Sequence, residues 1–272
     1  MIYQVNSVIF RSVFIIQFEI KGFYMDTQKD KKGKRKKNKL LFVRLMIVLA
    51  WIIIFYFPSL FLPFRWITWL YPLAINFYIW ANRVRMHDLT PPDCKKSQGM
   101  IYASNHKCFS DPVFISKFVP RPFAYTMDQH VADIIPPFKI IIAKMRFVPI
   151  DHRTVSGLLH SYNTIRKRLR DGISLIFFPE GKYVIGEPVG QFRGGIAKIA
   201  KNTGAKVVPV ALYGIDQNFL YDKKLVWRDV YVKMGEPLDF EDFGGDERLF
   251  VNTLHSKITQ LYAEIEAEVK HC

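Results

Sequence analysis

The sequence contains little cysteine and none of the common motifs that bind zinc or nucleic acid. Its three cysteines among 272 residues, Cys94, Cys108 and Cys272, are too few and odd in number for a disulfide framework, and they favour a reducing compartment. No Cys/His spacing suits zinc, and no aromatic-basic or helix-turn-helix motif indicates nucleic acid. A Gly-x-Ser-x-Gly elbow is also missing, so the sequence offers no serine nucleophile of that type.

Positive charge, by contrast, is abundant and unevenly placed. The net charge is +15, and residues 1–99 carry +11 of it. Eight of the eleven residues from 29 to 39 are Lys or Arg, and the longest apolar runs follow them directly. Basic charge beside apolar segments predicts contact with membrane lipids at an anionic bilayer surface rather than with nucleic acid.

The first 39 residues are predicted to form a basic, disordered leader. Residues 1–24 are apolar but interrupted by charged side chains, so they fit neither a signal peptide nor a spanning helix. Met25 opens a second conventional-looking start, and translation from Met25, with 1–24 an over-extended start, stays open as an alternative.

Two apolar runs, residues 40–57 and 66–81, flank a turn that is itself mostly apolar. Such a turn suits lipid better than water, so residues 40–81 are predicted to form a membrane-embedded helical hairpin. A hairpin returns the chain to its starting side, and the basic run indicates that the following domain faces the cytoplasm. The alternative is a pair of core helices in a soluble fold, because both runs are short for a crossing.

Residues 82–272 are predicted to form one α/β domain. Short apolar strands alternate with amphipathic helices, which favours a mixed, largely parallel sheet flanked by helices. The predicted helices are 155–170, 194–202 and 247–270, the last with a long apolar stripe. The predicted strands are 100–104, 123–126, 146–150, 173–178, 206–212 and 230–234.

A histidine and an aspartate lie five residues apart where the first of these strands ends. We expect a helix to begin at Asp111, with Asp111 as its N-cap and Pro112 in its first turn. Across such a tight turn the carboxylate of Asp111 can orient the imidazole of His106. That arrangement suits a general base acting on a hydroxyl group. Taken alone, the pattern also fits a capping aspartate and an unrelated loop histidine.

A carboxylate stands in a comparable position after the strand predicted at 173–178. Pro179, Glu180 and Gly181 break that strand sharply, and ligands of open α/β sheets bind where strands end. Glu180 is therefore a candidate for recognising a substrate hydroxyl.

Together these residues resemble four ordered blocks of the glycerolipid acyltransferase family, which includes 1-acylglycerol-3-phosphate acyltransferase. The blocks are an Asn-His-x4-Asp loop, an apolar strand ending in Asp and Arg, a Phe-Pro-Glu-Gly turn, and an apolar stretch around a proline. In this sequence they are residues 105–111, 147–153, 178–181 and 207–212, and residues 192–200 resemble the helix start between the last two. The resemblance covers about residues 80–235, and the order of all four blocks is more specific than any one of them.

The resemblance implies transfer of a fatty acyl group from a thioester donor, acyl-CoA or acyl carrier protein, to a lysophospholipid acceptor. The acceptor would be 1-acylglycerol 3-phosphate and the product phosphatidic acid. His106 and Asp111 would be the catalytic pair, without an acyl-enzyme, a resident cofactor or a metal ion. The residues expected to bind the acceptor are Asn105, Arg153, Glu180, Gly181, Lys182 and Arg193.

Two positions depart from the family pattern. The arginine expected after the aspartate of the second block is His152, with Arg153 one residue later. The Thr-Arg that usually follows Phe-Pro-Glu-Gly is Lys182-Tyr183, and lysine lacks the bidentate fork with which arginine binds phosphate. Another lysolipid acceptor therefore stays open, as do a thioesterase and a non-catalytic membrane-surface binding protein.

Overall fold

The architecture comes from a computed structural model that describes residues 61–94, 96–130, 146–216 and 226–270. The leader at 1–39 and the first apolar run at 40–57 lie outside the described residues. The predictions made for them stay predictions.

A seven-stranded sheet in the order β1-β7-β6-β2-β5-β3-β4 forms the centre of the protein. All neighbouring strands are parallel except β6 and β7, so the predicted mixed, largely parallel sheet is confirmed. The central strands β2 and β5 are buried throughout, which explains their continuous apolar character. The strands are β1 Val84–Asp88, β2 Ile101–Ser104, β3 Phe123–Asp128, β4 Val148–Ile150, β5 Ser174–Phe177, β6 Val207–Tyr213 and β7 Arg228–Met234.

Within the described residues, five α-helices flank the sheet: α1 Phe64–Ala81, α2 Asp111–Ser116, α3 Val155–Arg170, α4 Gly195–Thr203 and α5 Glu247–Lys270. A 3₁₀ turn, Phe240–Phe243, precedes α5. Helix α3 begins after Thr154, whose side chain accepts a hydrogen bond from the Gly157 amide, and three basic residues occupy its last turn. Helix α5 packs on β6 and β7, and Lys233 of β7 forms ion pairs with its Glu264 and Glu268.

Helix α1 contains the second apolar run, and it packs against the domain along one side. Ile67, Ile75 and Ile79 are buried in the common core. The hydroxyl of Tyr71 donates to that of Tyr125 at 2.8 Å, and the Tyr78 hydroxyl lies 2.7 Å from Ser110 Oγ. In the part of the chain that the structure describes, no helix has the length and apolar character needed to cross a membrane. The hairpin predicted over 40–81 is therefore not supported.

Candidate active site

The first and third blocks meet at one edge of the sheet. Strands β2 and β5 are parallel neighbours, with Ala103 opposite Phe177. The segments that follow them therefore leave the sheet side by side, at the carboxyl edge where open α/β sheets bind ligands. The chain after β2 carries His106 and Asp111, and the chain after β5 carries Glu180.

His106 and Asp111 form the pair that the sequence predicts. The Nδ1 atom of His106 lies 2.9 Å from Oδ2 of Asp111, and Asp111 is 0% exposed. The same oxygen accepts hydrogen bonds from the backbone amides of Lys107, at 2.5 Å, and Cys108, at 2.8 Å. Because the Asp111 carboxylate accepts a hydrogen bond from Nδ1–H, the neutral imidazole carries its proton on Nδ1. Its Nε2 is then free to accept a proton.

The predicted helix start differs in one detail. Ser110 is the N-cap of α2, and Asp111 is the first helical residue. Its carboxylate reaches back to the amides of the preceding loop rather than forward into the helix. The aspartate therefore serves the histidine and the loop, and it does not cap the helix.

Two aromatic rings hold the imidazole in place. The ring of Phe178 stacks on that of His106 with centroids 3.9 Å apart, and the ring of Tyr183 meets it edge-on at 4.5 Å. The His106 side chain is 15% exposed, so one edge of it remains accessible. Phe178 begins the Phe-Pro-Glu-Gly block, but no motif predicts that its ring, or that of Tyr183, contacts the histidine.

Glu180 joins the two segments. Its Oε2 accepts a hydrogen bond from the backbone amide of His106 at 2.9 Å, and its Oε1 accepts one from the backbone amide of Gly190 at 2.8 Å. The side chain is 1% exposed, and burial raises the pKa of its carboxyl group although the two amides and the Lys107 charge oppose the shift. Contact between Glu180 and an acceptor hydroxyl stays a prediction; the structure gives the carboxylate a role in holding the His106 loop.

Asn105 has a similar structural role. Its Oδ1 accepts the amide of Leu212 at 2.9 Å, and its Nδ2 donates to the Leu212 carbonyl at 3.0 Å. The residue is fully buried, so it fastens the His106 loop to the end of β6. Its predicted contact with substrate is likewise untested.

Lys182 and Arg193 bring positive charge to the same edge. Gly181 has a φ of +65°, and a β-carbon there would lie 2.9 Å from Cζ of Arg193, so the arginine side chain lies over the glycine. Lys182 and Arg193 are both exposed. Lys182 precedes Tyr183, whose ring contacts that of His106. Two of the predicted acceptor-binding cations therefore lie at the Phe-Pro-Glu-Gly turn, whose Phe178 stacks on His106.

Arg153 lies farther away. It follows β4, which is separated from β5 by β3, a lateral offset of about 10 Å at ordinary strand spacing. Its guanidinium pairs with Asp151, with Nε 2.8 Å from Oδ1, and this hydrogen bond lowers the pKa of Asp151 to about 2. The structure thus brings the third block to the base but keeps the second at the side of the sheet.

Cys108 does not act as a nucleophile in this arrangement. Its thiol is buried and donates to Oδ1 of Asp111 at 3.2 Å. Burial, and then the charge of Asp111, raise the pKa of the thiol well above its ordinary value. A thiol that stays protonated is a poor nucleophile.

The α/β sheet carries a histidine, held by a buried aspartate, at its carboxyl edge, as the resemblance to acyltransferases predicts. Residues 83–213 match the family described as Acyltransferase. This match supports the resemblance to the glycerolipid acyltransferase family, and the protein is an O-acyltransferase.

Individual relatives agree with this assignment. The chain is 23% identical over 202 residues to the "Probable 1-acyl-sn-glycerol-3-phosphate acyltransferase" of Mycoplasma pneumoniae, an alignment that covers 70% of this chain and 76% of that protein. It is 25% identical over 147 residues to the 1-acyl-sn-glycerol-3-phosphate acyltransferase of Borreliella burgdorferi, covering 54% of this chain and 58% of the relative. The fold is similar to that of the 1-acyl-sn-glycerophosphate (LPA) acyltransferase PlsC from Thermotoga maritima, with a TM-score of 0.66, 20% identity, and coverage of 85% of this chain and 98% of that one.

Proposed function

We propose that the protein transfers a fatty acyl group from acyl-CoA or acyl carrier protein to the free hydroxyl of 1-acylglycerol 3-phosphate, forming phosphatidic acid. The observation that carries this proposal is the His106–Asp111 pair, with Lys182 and Arg193 at the Phe-Pro-Glu-Gly turn that follows the neighbouring strand. The relatives named above, which act on 1-acylglycerol 3-phosphate by name, support the choice of acceptor.

The chemistry follows from the geometry of the base. Nε2 of His106 takes the proton from the acceptor hydroxyl as its oxygen attacks the thioester carbonyl carbon. The new C–O bond forms, the C–S bond breaks, and the imidazolium returns the proton to the departing sulfur. The negative charge of Asp111 stabilises the imidazolium between these two steps. No acyl-enzyme is needed, in keeping with the protonated thiol of Cys108.

A panel of acceptors tests the proposal. Purified protein would be given an acyl thioester with 1-acylglycerol 3-phosphate, with lysolipids that carry larger head groups, or with no acceptor. Phosphatidic acid should be the main product. Preference for another lysolipid would reassign the acceptor, and rapid release of fatty acid without an acceptor would favour a thioesterase.

Neutralising the cations at the site should weaken acceptor binding. We expect Arg193→Met or Lys182→Met to raise the KM for 1-acylglycerol 3-phosphate about tenfold, the size of a lost charge-assisted hydrogen bond. Arg153→Met should have a smaller effect because Arg153 pairs with Asp151 at the side of the sheet. Steady-state kinetics at saturating donor would measure both parameters.

A matched control for these variants is Arg170→Met, an exposed arginine at the far end of α3. It should leave the kinetics unchanged. Parental acceptor kinetics in all three site variants would refute the phosphate assignment and favour an acceptor without a phosphate monoester.

We also propose that the protein works at a membrane surface, with the catalytic domain on the cytoplasmic side. Trp66, Leu73 and Trp80 lie seven residues apart on α1 and are each at least 60% exposed, so they form one apolar stripe directed away from the core. Tryptophan is enriched where proteins meet the lipid interface. The basic run at 29–39 would add attraction to anionic lipid.

Replacing the eight basic residues of 29–39 with glutamine should weaken binding to vesicles that contain anionic lipid. Each contributes about 1 kcal/mol near such a surface, and the loss should shrink as salt increases. Sedimentation with anionic and with neutral vesicles measures it, the neutral vesicles being the control. Equal binding of parent and variant to anionic vesicles at low salt would contradict the proposed role of the run.

A further inference from the structure

Lys107, which no motif singles out, has an unusual environment for a lysine. It lies between the catalytic His106 and Cys108 and is 7% exposed. Burial lowers the pKa of its ammonium group, while the carboxylates of Glu180, Asp111 and Glu187 oppose that shift. A buried lysine is uncommon unless its charge is satisfied by partners, so the contacts of its ammonium group indicate what it does.

The ammonium group is bonded to the main chain of the segment that follows the Phe-Pro-Glu-Gly turn. Nζ donates to the carbonyl oxygen of Glu187 and, at 3.5 Å, to that of Val184. Both of these acceptors lie within residues 182–190, hereafter the 182–190 segment. Because Nζ is directed at two carbonyl groups and away from solvent, Lys107 is unsuited to binding an acceptor phosphate itself.

The neighbours of Lys107 hold the same segment. The Val184 amide donates to the carbonyl oxygen of His106 at 2.9 Å, and Nδ2 of Asn105 donates to that of Pro188 at 3.4 Å. Three consecutive residues of the first block are therefore bonded to the 182–190 segment. Lys107 supplies the charged member of this set, and hydrogen bonds to charged groups are the stronger ones.

The 182–190 segment in turn carries side chains that border the base. Tyr183 meets the His106 ring edge-on at 4.5 Å, and Lys182 precedes it. Val184 is buried against Gly190: a β-carbon on Gly190 would lie 2.4 Å from Cγ2 of Val184. The next residue, Ile185, is 66% exposed. The segment is thus attached at its inner side and exposes its outer side to solvent.

We propose that Lys107 is a positioning residue that holds the 182–190 segment against His106, so that Lys182 and Tyr183 border the acceptor. This inference rests on the proposed function, because it assigns the segment to the acceptor side of the reaction. It predicts that loss of the ammonium group affects acceptor binding more than the chemical step.

The test compares Lys107→Met, which keeps the length of the side chain and removes its donors, with Lys107→Arg, which keeps charged donors. Lys198→Met, at an exposed lysine of α4, is the control. We expect Lys107→Met to raise the acceptor KM about tenfold, as for a lost charge-assisted hydrogen bond, with a smaller change in kcat. Lys107→Arg should recover part of that loss, and the control should match the parent.

A second readout needs no substrate. Trypsin cleaves after Lys182, inside the segment, and peptide mass spectrometry reports the rate at that bond. Cleavage there should be about tenfold faster in Lys107→Met, because the donors that hold the segment are gone, and near the parental rate in Lys107→Arg. Thermal unfolding shows whether each variant is folded. If Lys107→Met does not fold, Lys107→Gln, whose shorter uncharged side chain also loses the ammonium group, takes its place in the same two measurements, with the same expected results.

Parental acceptor KM together with parental cleavage in Lys107→Met would overturn the inference, and so would a fall in kcat alone with parental cleavage. If the parent does not acylate 1-acylglycerol 3-phosphate, the proposed function fails. The cleavage rates, and the KM for whichever lysolipid the parent accepts, would still decide the role of Lys107.

Discussion

Replacing His106 with alanine is expected to lower the rate of acyl transfer at least about a hundredfold, the contribution of a positioned general base. Without Nε2 the acceptor hydroxyl keeps its proton as it attacks the thioester, and nothing returns a proton to the leaving sulfur. The measurement is the initial rate of acyl transfer at saturating substrates. Acceptor KM should change much less than kcat, because the cations beside the site remain.

The matched control for this variant is His160→Ala, at an exposed position of α3. It should retain parental activity. Both variants should stay folded in thermal unfolding, since His106 is at the edge of the core. A folded His106→Ala protein with near-normal turnover would refute the mechanism.

Asp111→Asn extends the same expectation. An asparagine can keep the shape of the side chain and accept the amides of Lys107 and Cys108, yet it removes the negative charge from the imidazole. We therefore expect a loss of activity close to that of His106→Ala, with a folded protein. If the double variant His106→Ala/Asp111→Asn loses no more activity than either single variant, that non-additivity would show that the two residues act as one unit.

Glu180→Ala is expected to reduce both stability and activity. The change leaves the amides of His106 and Gly190 buried without their acceptor, which costs about 3 kcal/mol of unfolding free energy for two bonds to a charged group. Activity should fall more than tenfold, because the His106 loop and the 182–190 segment lose the carboxylate that joins them. Denaturant unfolding and the acyl-transfer assay measure the two effects.

The pH dependence of stability separates Glu180 from a surface glutamate. Burial raises the pKa of its carboxyl group in the folded protein above the unfolded value, so the folded state binds the proton more tightly. The contribution to stability is therefore fully present below the unfolded pKa and is lost as the pH rises through the folded pKa. The Glu180→Gln variant has no carboxyl group at this position, so this pH-dependent contribution to the unfolding free energy should be absent from it.

The comparison requires unfolding free energies of the parent and of Glu180→Gln from about pH 4.5 to 8, a range chosen to start near the usual carboxyl pKa. Relative to the variant, the parent should lose stability with increasing pH. Glu266→Gln, on the surface of α5, is the control and should follow the parent. A difference between parent and Glu180→Gln that is constant over this range would contradict the assigned pKa direction.

The sequence predicted the elements whose signal is local. The bounds of α3 and α5 match the prediction, because the helical repeat of apolar residues continues over sixteen and twenty-four residues. The six predicted strands lie within two residues of the observed strands at every end. Strand β1 was missed, since its Arg85 and His87 give no apolar run; both side chains bond to Asp229 of β7, more than 140 residues later.

The contact between His106 and Asp111 could also be predicted from the sequence, for a physical reason. Five residues of a tight turn are enough to bring the side chains of His106 and Asp111 together, and the order of the four blocks narrowed the chemistry to acyl transfer. The same information placed Lys182 and Arg193 near the site. It did not separate residues that touch an acceptor from residues that hold the loop.

That separation was decided by the tertiary structure. Asn105 bonds to Leu212 across 107 positions, and Glu180 bonds to the His106 amide across 74. Lys107 reaches the carbonyl of Glu187 across 80. Such pairs depend on which strands are neighbours in the sheet, and strand order is set by the packing of the whole domain rather than by any local pattern. The sequence alone thus determined the proximity of the histidine and the aspartate and the type of most elements, whereas only the folded chain decided which polar side chains are buried as supports and which remain exposed at the edge of the sheet.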